Sequence, residues 1–219
     1  MAHVIPFHGT LYNPATVGDV RQVVAPPYDI IDATLQKTLH DRHPNNVIRL
    51  ELGYEQPGDT TGDNKYLRAA GALKEWLKSG ALRRDDKPAI YYHTIEYQPP
   101  YSAPGTPTKV FKGFLSTVEL EEFGSGKIYP HENTRAAAKT DRFNLLEACR
   151  ANFSAIISLY SDPQNDVLTL IERSIASDKP RIDFQDDVGF RQRLWSVTDP
   201  AVLAKVVEIM HTKQLFIAD

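Results

Sequence analysis

The stretch Tyr129-Pro-His-Glu-Asn-Thr-Arg-Ala-Ala-Ala-Lys-Thr-Asp-Arg142 crowds acids, bases and hydroxyls into one junction between an apolar strand pattern and an amphipathic helix. Pro130 biases Tyr129 toward extended backbone and presents His131 and Glu132 at a strand end. An imidazole beside a carboxylate can do general acid–base chemistry, and Glu132 could also coordinate a nucleotide-bound Mg²⁺. The competing reading is structural, with Glu132 capping the next helix. Lys139 and Arg142 stand one turn apart at a helix start, with Asp141 expected as its N-cap. Cations there oppose the helix dipole unless an anion offsets them. The partner is a bound phosphate or a carboxylate such as Glu132, and an internal salt bridge is the alternative. Thr134 adds a hydroxyl between the two groups, so the stretch suits a phosphorylated ligand.

Other candidates lie upstream. In Ala25-Pro-Pro-Tyr-Asp-Ile-Ile31 the two prolines fix φ and remove two donors, a rigidity that could aim Tyr28 and Asp29 into a pocket or simply shape a turn. Arg49 and Glu51 are expected on one face of a strand, paired with each other or both at the surface. The spacing of His40 and His43 is compatible with a shared metal, but no carboxylate pattern completes a ligand set, so no metal site is assigned. Cys149, the only cysteine, falls on the apolar stripe of its helix and reads as a small core residue. Tyr66 and Trp76 likewise read as core.

Positioning these groups requires a mixed set of elements. Val4–Leu11 and Val47–Leu52 read as strands, and Asp32 caps a short helix carrying Leu35 and Leu39. Helical spacing of Tyr66, Ala70, Leu73, Trp76 and Leu77 predicts a helix over Asp63–Ser79, with Gly80 at its C-terminal cap. Ile90–Tyr97 and Lys109–Leu120 are expected to pair as a hairpin around a proline-rich loop. A helix over Asp141–Phe153 precedes a buried strand at Ala155–Tyr160. Asp162-Pro163 and Asp199-Pro200 each put an N-cap acceptor before a proline at the first helical position. Strands follow at Arg181–Phe184 and Arg191–Thr198, and the chain ends on an apolar strand from Gln214 to Asp219. Hairpins mixed with strand–helix–strand units point to an α+β fold, a mixed sheet with flanking helices. A single domain over residues 1–219 is expected, or the N-terminal part of a longer protein, with a possible sub-boundary near residues 125–130.

Composition narrows the function classes. A chain of 219 residues, 42% hydrophobic and 24% charged, suits a folded domain. A net charge of −3 and a pI near 6.2 give no overall pull toward nucleic acid or an anionic membrane, so any anion site is local. One cysteine excludes an intrachain disulfide. No leader pattern or membrane-length apolar run is present, and the reading is cytoplasmic.

Several segments together resemble domain-of-unknown-function family 1015, a family of uncharacterised conserved prokaryotic proteins. The matching pieces are Val24-Ala-Pro-Pro-Tyr-Asp-Ile-Ile31, Asn46-Val-Ile-Arg-Leu50, Pro130-His-Glu-Asn-Thr134, Lys139-Thr-Asp-Arg142, Ala151-Asn-Phe-Ser154 and Leu159-Tyr-Ser-Asp162. Ala138 and Ala155 stand where the pattern has proline. Family members are longer, and a strand like Leu215-Phe-Ile-Ala-Asp219 continues in them into Gly-His-His-Arg. That turn resembles the phosphate-binding turn of the superfamily of ParB-like proteins, sulfiredoxin and a free-serine kinase. The resemblance therefore implies a chain cut one residue into that signature, with weak catalysis on its own.

It also implies an N-terminal part of a phosphate- or nucleotide-using enzyme, a small-metabolite phosphotransferase or phosphatase using ATP or ADP with Mg²⁺. In that reading His131, Glu132 and Asp219 are catalytic. Thr134, Lys139, Arg142, Tyr28, Asp29 and Arg49 bind substrate or phosphate. Partners are a small anionic metabolite or nucleotide and the missing C-terminal region, with no membrane; nucleic acid ranks last. The alternative class is a non-catalytic anion-binding or regulatory module.

Overall fold

The computed structural model describes residues 3–103, 105–122, 124, 126–130 and 135–218. In chain order it contains β1 (Val4–Ile5), β2 (Thr10–Tyr12), α1 (Pro14–Val17), α2 (Ala33–Arg42), α3 (Ile48–Glu51), α4 (Lys65–Ser79) and β3 (Leu82–Arg84). Next come β4 (Ile90–Tyr97), β5 (Lys109–Leu115), β6 (Thr117–Val118), β7 (Ile128–Tyr129) and α5 (Ala136–Cys149). The rest is β8 (Ser158–Leu159), α6 (Asp166–Ser174), β9 (Ile182–Gln185), β10 (Arg191–Val197), α7 (Pro200–His211) and β11 (Leu215–Ile217). The fold is α+β, as the order of sequence patterns required.

Two compact units share the chain. The first takes Met1–Gly9, Asp85–His131 and Ile156–Asp219. Its largest sheet is antiparallel with order β5-β4-β10-β9, and the expected hairpin of β4 with β5 is its first pair. A second sheet has order β7-β11-β8, and β1 pairs with β6. Apolar stripes on α6 (Val167, Ile171) and α7 (Leu203, Val206, Met210) bury against Ile90, Tyr92, Val197 and Leu215. Asp199 caps α7 as expected, accepting from the amides of Ala201 and Val202. The last strand is the middle of its sheet: β11 lies parallel to β7 and antiparallel to β8.

The second unit takes Thr10–Arg84 and Glu132–Ala155. It is mainly helical, with one ladder, β2–β3, among the described residues. Its core gathers Val17, Val23, Leu50, Trp76, Ala81 and Leu82, with Phe153 packed against them. Asn64 caps α4, and Gly80, at φ +78°, ends it in the left-handed conformation that glycine adopts without a Cβ penalty.

Five local expectations are corrected. Val47–Leu52 is not a strand. Asn46 is fully buried, its side-chain oxygen accepts from the Ile48 amide at 3.0 Å, and its amide nitrogen donates to the Gln22 and Val24 carbonyls. That local turn outweighs the β-propensity of Val47 and Ile48 and starts α3. The helix expected from Asp141 begins five residues earlier, because Ala136–Ala138 are strong helix formers. Asp141 is therefore interior, and Arg135 occupies the N-cap position. At the other end Arg150, at φ +50°, closes α5 short of Phe153. The strand at Ala155–Tyr160 shrinks to β8 on a sheet edge, where Ile156 and Leu159 are exposed rather than buried. Asp162 is not the N-cap residue of α6; Asn165 is, while the Asp162 carboxylate reaches forward to the Val167 amide at 3.0 Å. Finally, Val4–Leu11 divides into β1 and β2 around an isolated bridge between Phe7 and Ala89.

Candidate functional site

In the helical unit, α3, α4 and α5 bring a polar cluster together around Arg142. Glu51, at the end of α3, is only 6 % exposed. Arg142 donates to its carboxylate through Nη1 at 2.7 Å and to its backbone carbonyl through Nη2 at 3.0 Å. The Ser154 hydroxyl donates to the same Glu51 oxygen at 2.6 Å. Arg142 also contacts Asp141 Oδ2 through Nε at 3.0 Å and Nη2 at 2.5 Å. Its guanidinium lies over the Tyr28 ring, 4.0 Å from the centroid. The other Asp141 oxygen accepts from Tyr66 Oη at 2.8 Å and Lys65 Nζ at 2.9 Å, and Lys65 also reaches Glu55 at 3.0 Å.

The electrostatics follow from this wiring. Burial works to raise the Asp141 pKa, but hydrogen bonds from Arg142, Lys65 and Tyr66 outweigh it and hold the carboxyl at about 2. Burial alone would lower Lys65; Asp141 and Glu55 reverse that and raise it. Burial, then the bond to Asp141, raises Tyr66. Arg142 spends donors from all three of its nitrogens on carboxylate and carbonyl oxygens. A new anion would therefore have to compete with Glu51 and Asp141 for it.

Of the residues singled out from sequence, Tyr28 and Arg142 are thus in contact. Asp29 is exposed in the short 3₁₀ turn Tyr28–Ile30. Arg49 turns away from Glu51, since both lie on a helix rather than a strand, and it donates to His40 instead. Lys139 is exposed in the first turn of α5; its amide donates to the Arg135 carbonyl at 3.1 Å, and its side chain has no hydrogen bond or ion pair among the described residues. His131, Glu132, Thr134 and Asp219 lie outside the described residues, and with them the expected convergence of His131, Glu132, Lys139 and Arg142. Sequence reasoning left Glu51 as a partner of Arg49 or a surface residue, treated Tyr66 as core, and missed Lys65, Glu55 and the Ser154 hydroxyl. The signal for Glu51 was the Asx turn at Asn46, which turns the following residues into a helix.

In the sheet-rich unit, β7 and β11 are parallel neighbours, with Ile128 opposite Leu215 and Tyr129 opposite Phe216. Phe216 also faces Leu159 on β8, so Tyr129, Phe216 and Leu159 form an exposed row. The Tyr129 and Phe216 rings stack at 5.1 Å and 16°. Beyond the carboxyl end of β7 the sequence runs Pro130-His131-Glu132, and beyond that of β11 it runs Ala218-Asp219.

Four of the segments that carry the resemblance, containing or ending beside Tyr28, Glu51, Arg142 and Ser154, meet at the Arg142 cluster. The match to the family described as a protein of unknown function (DUF1015) spans residues 4–219. The chain belongs to this family. No curated protein and no solved structure matches it. Among the described residues no helix of this DUF1015 chain is long and apolar enough to cross a membrane. No group of three or more His, Cys, Asp or Glu side chains able to hold a metal occurs among them either.

Proposed function

We propose that this DUF1015 chain contributes the site of a phosphate- or nucleotide-using enzyme that acts on a small metabolite, by phosphotransfer or phosphate-ester hydrolysis. The observation that carries this reading is the parallel pairing of β7 with β11. Parallel neighbours end on the same side of a sheet, and ligand sites of sheet proteins favour the carboxyl ends of such strands. The sequence that leaves those two ends supplies His131 and Glu132 in one case and Asp219 in the other. An imidazole and two carboxylates following those ends in sequence would suit proton transfer and Mg²⁺ on ATP or ADP. In the helical unit, the Arg142 cluster is preorganised by Glu51, Asp141 and Tyr28.

A second reading is favoured by Lys139. It is an exposed cation in the first turn of α5, a helix whose N-cap Arg135 gives no side-chain cap bond to the first-turn amides. A module that senses phosphate there without turning anything over would need nothing from β7 or β11.

Amide chemical shifts followed during titration with phosphate, ADP and ATP, with and without Mg²⁺, test both readings. The enzyme reading expects shifts at Ile128, Tyr129 and residues 216–218, together with weak conversion of nucleotide or phosphomonoester that is lost in Glu132→Gln. The sensing reading expects shifts confined to residues 136–139, weakened by Lys139→Ala, at millimolar affinity or about 4 kcal/mol. Unmoved amides at the β7 and β11 ends under all ligands overturn the enzyme reading.

A further inference from the structure

We propose that His40 is an acid-sensitive latch, whose protonation detaches α2 from α3 and loosens the hold of Glu51 on Arg142.

The geometry leaves His40 one workable protonation state. Its side chain lies near the end of α2 and the residue is 8 % exposed. Arg49 of α3 places Nη1 3.0 Å from His40 Nδ1 and Nη2 2.7 Å from the His40 carbonyl oxygen. A guanidinium has only donors, so Nδ1 must accept and the imidazole proton must reside on Nε2. Nε2 is itself buried without a hydrogen-bond partner, as is Arg49 Nε. A proton added at Nδ1 would set N–H against N–H and put a second positive charge beside a cation that has no carboxylate partner among the described residues.

Around the ring, the Leu52 carbonyl favours the protonated form, but less than burial and Arg49 oppose it. The Tyr54 ring, from the segment after α3, stacks on His40 at 4.1 Å and 20° and offers no formal charge at neutral pH. On α2 itself, Asp41 is engaged by Lys37 one turn back. Arg42, the next residue, is a further cation. Burial, then the charge of Arg49, lowers the His40 pKa below the ordinary imidazole value, and the weaker pulls of the Leu52 carbonyl and of Asp41 do not reverse this.

The consequence reaches the cluster because α3 is a single turn. Arg49 and Glu51 are two residues apart on it, so freeing Arg49 from His40 removes the side-chain anchor beside the carboxylate that holds Arg142. Protons bind the opened state first, since its imidazole has the ordinary pKa of about 6.5. The opening constant should therefore rise about tenfold per pH unit as pH falls from there toward the folded His40 value. This device operates without any ligand and is independent of the proposed enzyme activity.

Proton-detected titration of the His40 ring, with amide exchange of residues 48–52 and the Arg142 Nε–H signal followed in parallel, tests it. His40 should titrate below the ordinary histidine range. Protection of 48–52, corrected for intrinsic exchange, should fall over the same pH interval, and the Arg142 signal should shift with it. His40→Gln, which keeps an acceptor for Arg49 but cannot be protonated, should abolish that shared pH dependence. A His40 pKa at or above the ordinary value overturns the proposal. So does an Arg142 signal that does not move with His40 in the unsubstituted protein, a readout that needs no variant to fold.

Discussion

Replacing Arg142 with methionine isolates what its charge contributes, because the methionine stem still covers the Tyr28 ring. Glu51 is nearly fully buried, and after the change only the Ser154 hydroxyl, among the described residues, remains on its carboxylate. Removing one partner of a buried pair costs about 3–5 kcal/mol. The Arg142 side chain is a quarter exposed, and Ser154 still donates, so the lower end applies. Loss of the cation–π contact with Tyr28 adds about 0.5–1 kcal/mol. Asp141 keeps Lys65 and Tyr66 and contributes little to the cost. The expected loss is therefore about 3.5–4 kcal/mol. Glu51→Gln leaves Arg142 paired with Asp141 and is expected to cost about 1–2 kcal/mol. The double variant buries no uncompensated carboxylate, so it should cost less than the two single changes added together, with a coupling of about 1–2 kcal/mol. Urea unfolding followed by Trp76 fluorescence reports on the helical unit, and Trp195→Phe removes the only other indole. A cost below about 1 kcal/mol for Arg142→Met, or strictly additive costs, would refute the view of Glu51 as a buried charge that depends on Arg142.

Asp141 makes a pH prediction with a definite sign. Its folded pKa of about 2 lies below the unfolded value near 3.9, so its contribution is present above pH 4 and is lost as pH falls through 2. The shift corresponds to about 2 kcal/mol, or about 1–2 kcal/mol after allowance for solvent screening of a partly exposed group. Asp141→Asn should flatten the acid limb of stability between pH 4 and 2, and an unchanged limb in chemical unfolding would count against the Lys65, Tyr66 and Arg142 wiring. Asp199→Ala removes the acceptor for the Ala201 and Val202 amides and should cost about 1 kcal/mol, read as faster amide exchange in the first turn of α7. A cost within a few tenths of zero would mean that Pro200 alone sets that helix start.

What the amino-acid order settles by itself is local. Asp32, Asp199 and Gly80 mark helix ends because capping depends on a side chain two or three residues away or, at Gly80, on the lack of one. The pairing of β4 with β5 is legible because two β-branched and aromatic runs flank one proline-rich loop. Family membership rests on the order of short segments, and those are sequence by nature. Tertiary structure decides what a residue meets. Glu51 and Arg49 are neighbours in sequence, yet one reaches across 91 positions to Arg142 and the other nine back to His40. Nothing in a period-two or period-3.6 pattern encodes that choice, because it follows from how α3 packs against α2, α4 and α5. The same holds for the last strand. Its apolar run predicts a strand, but only hydrogen bonding with β7 makes it a parallel neighbour whose end faces the same way as the approach to His131. Long-range partners are chosen by packing and charge neutralisation in three dimensions, and one chain read in one dimension carries no distance between them.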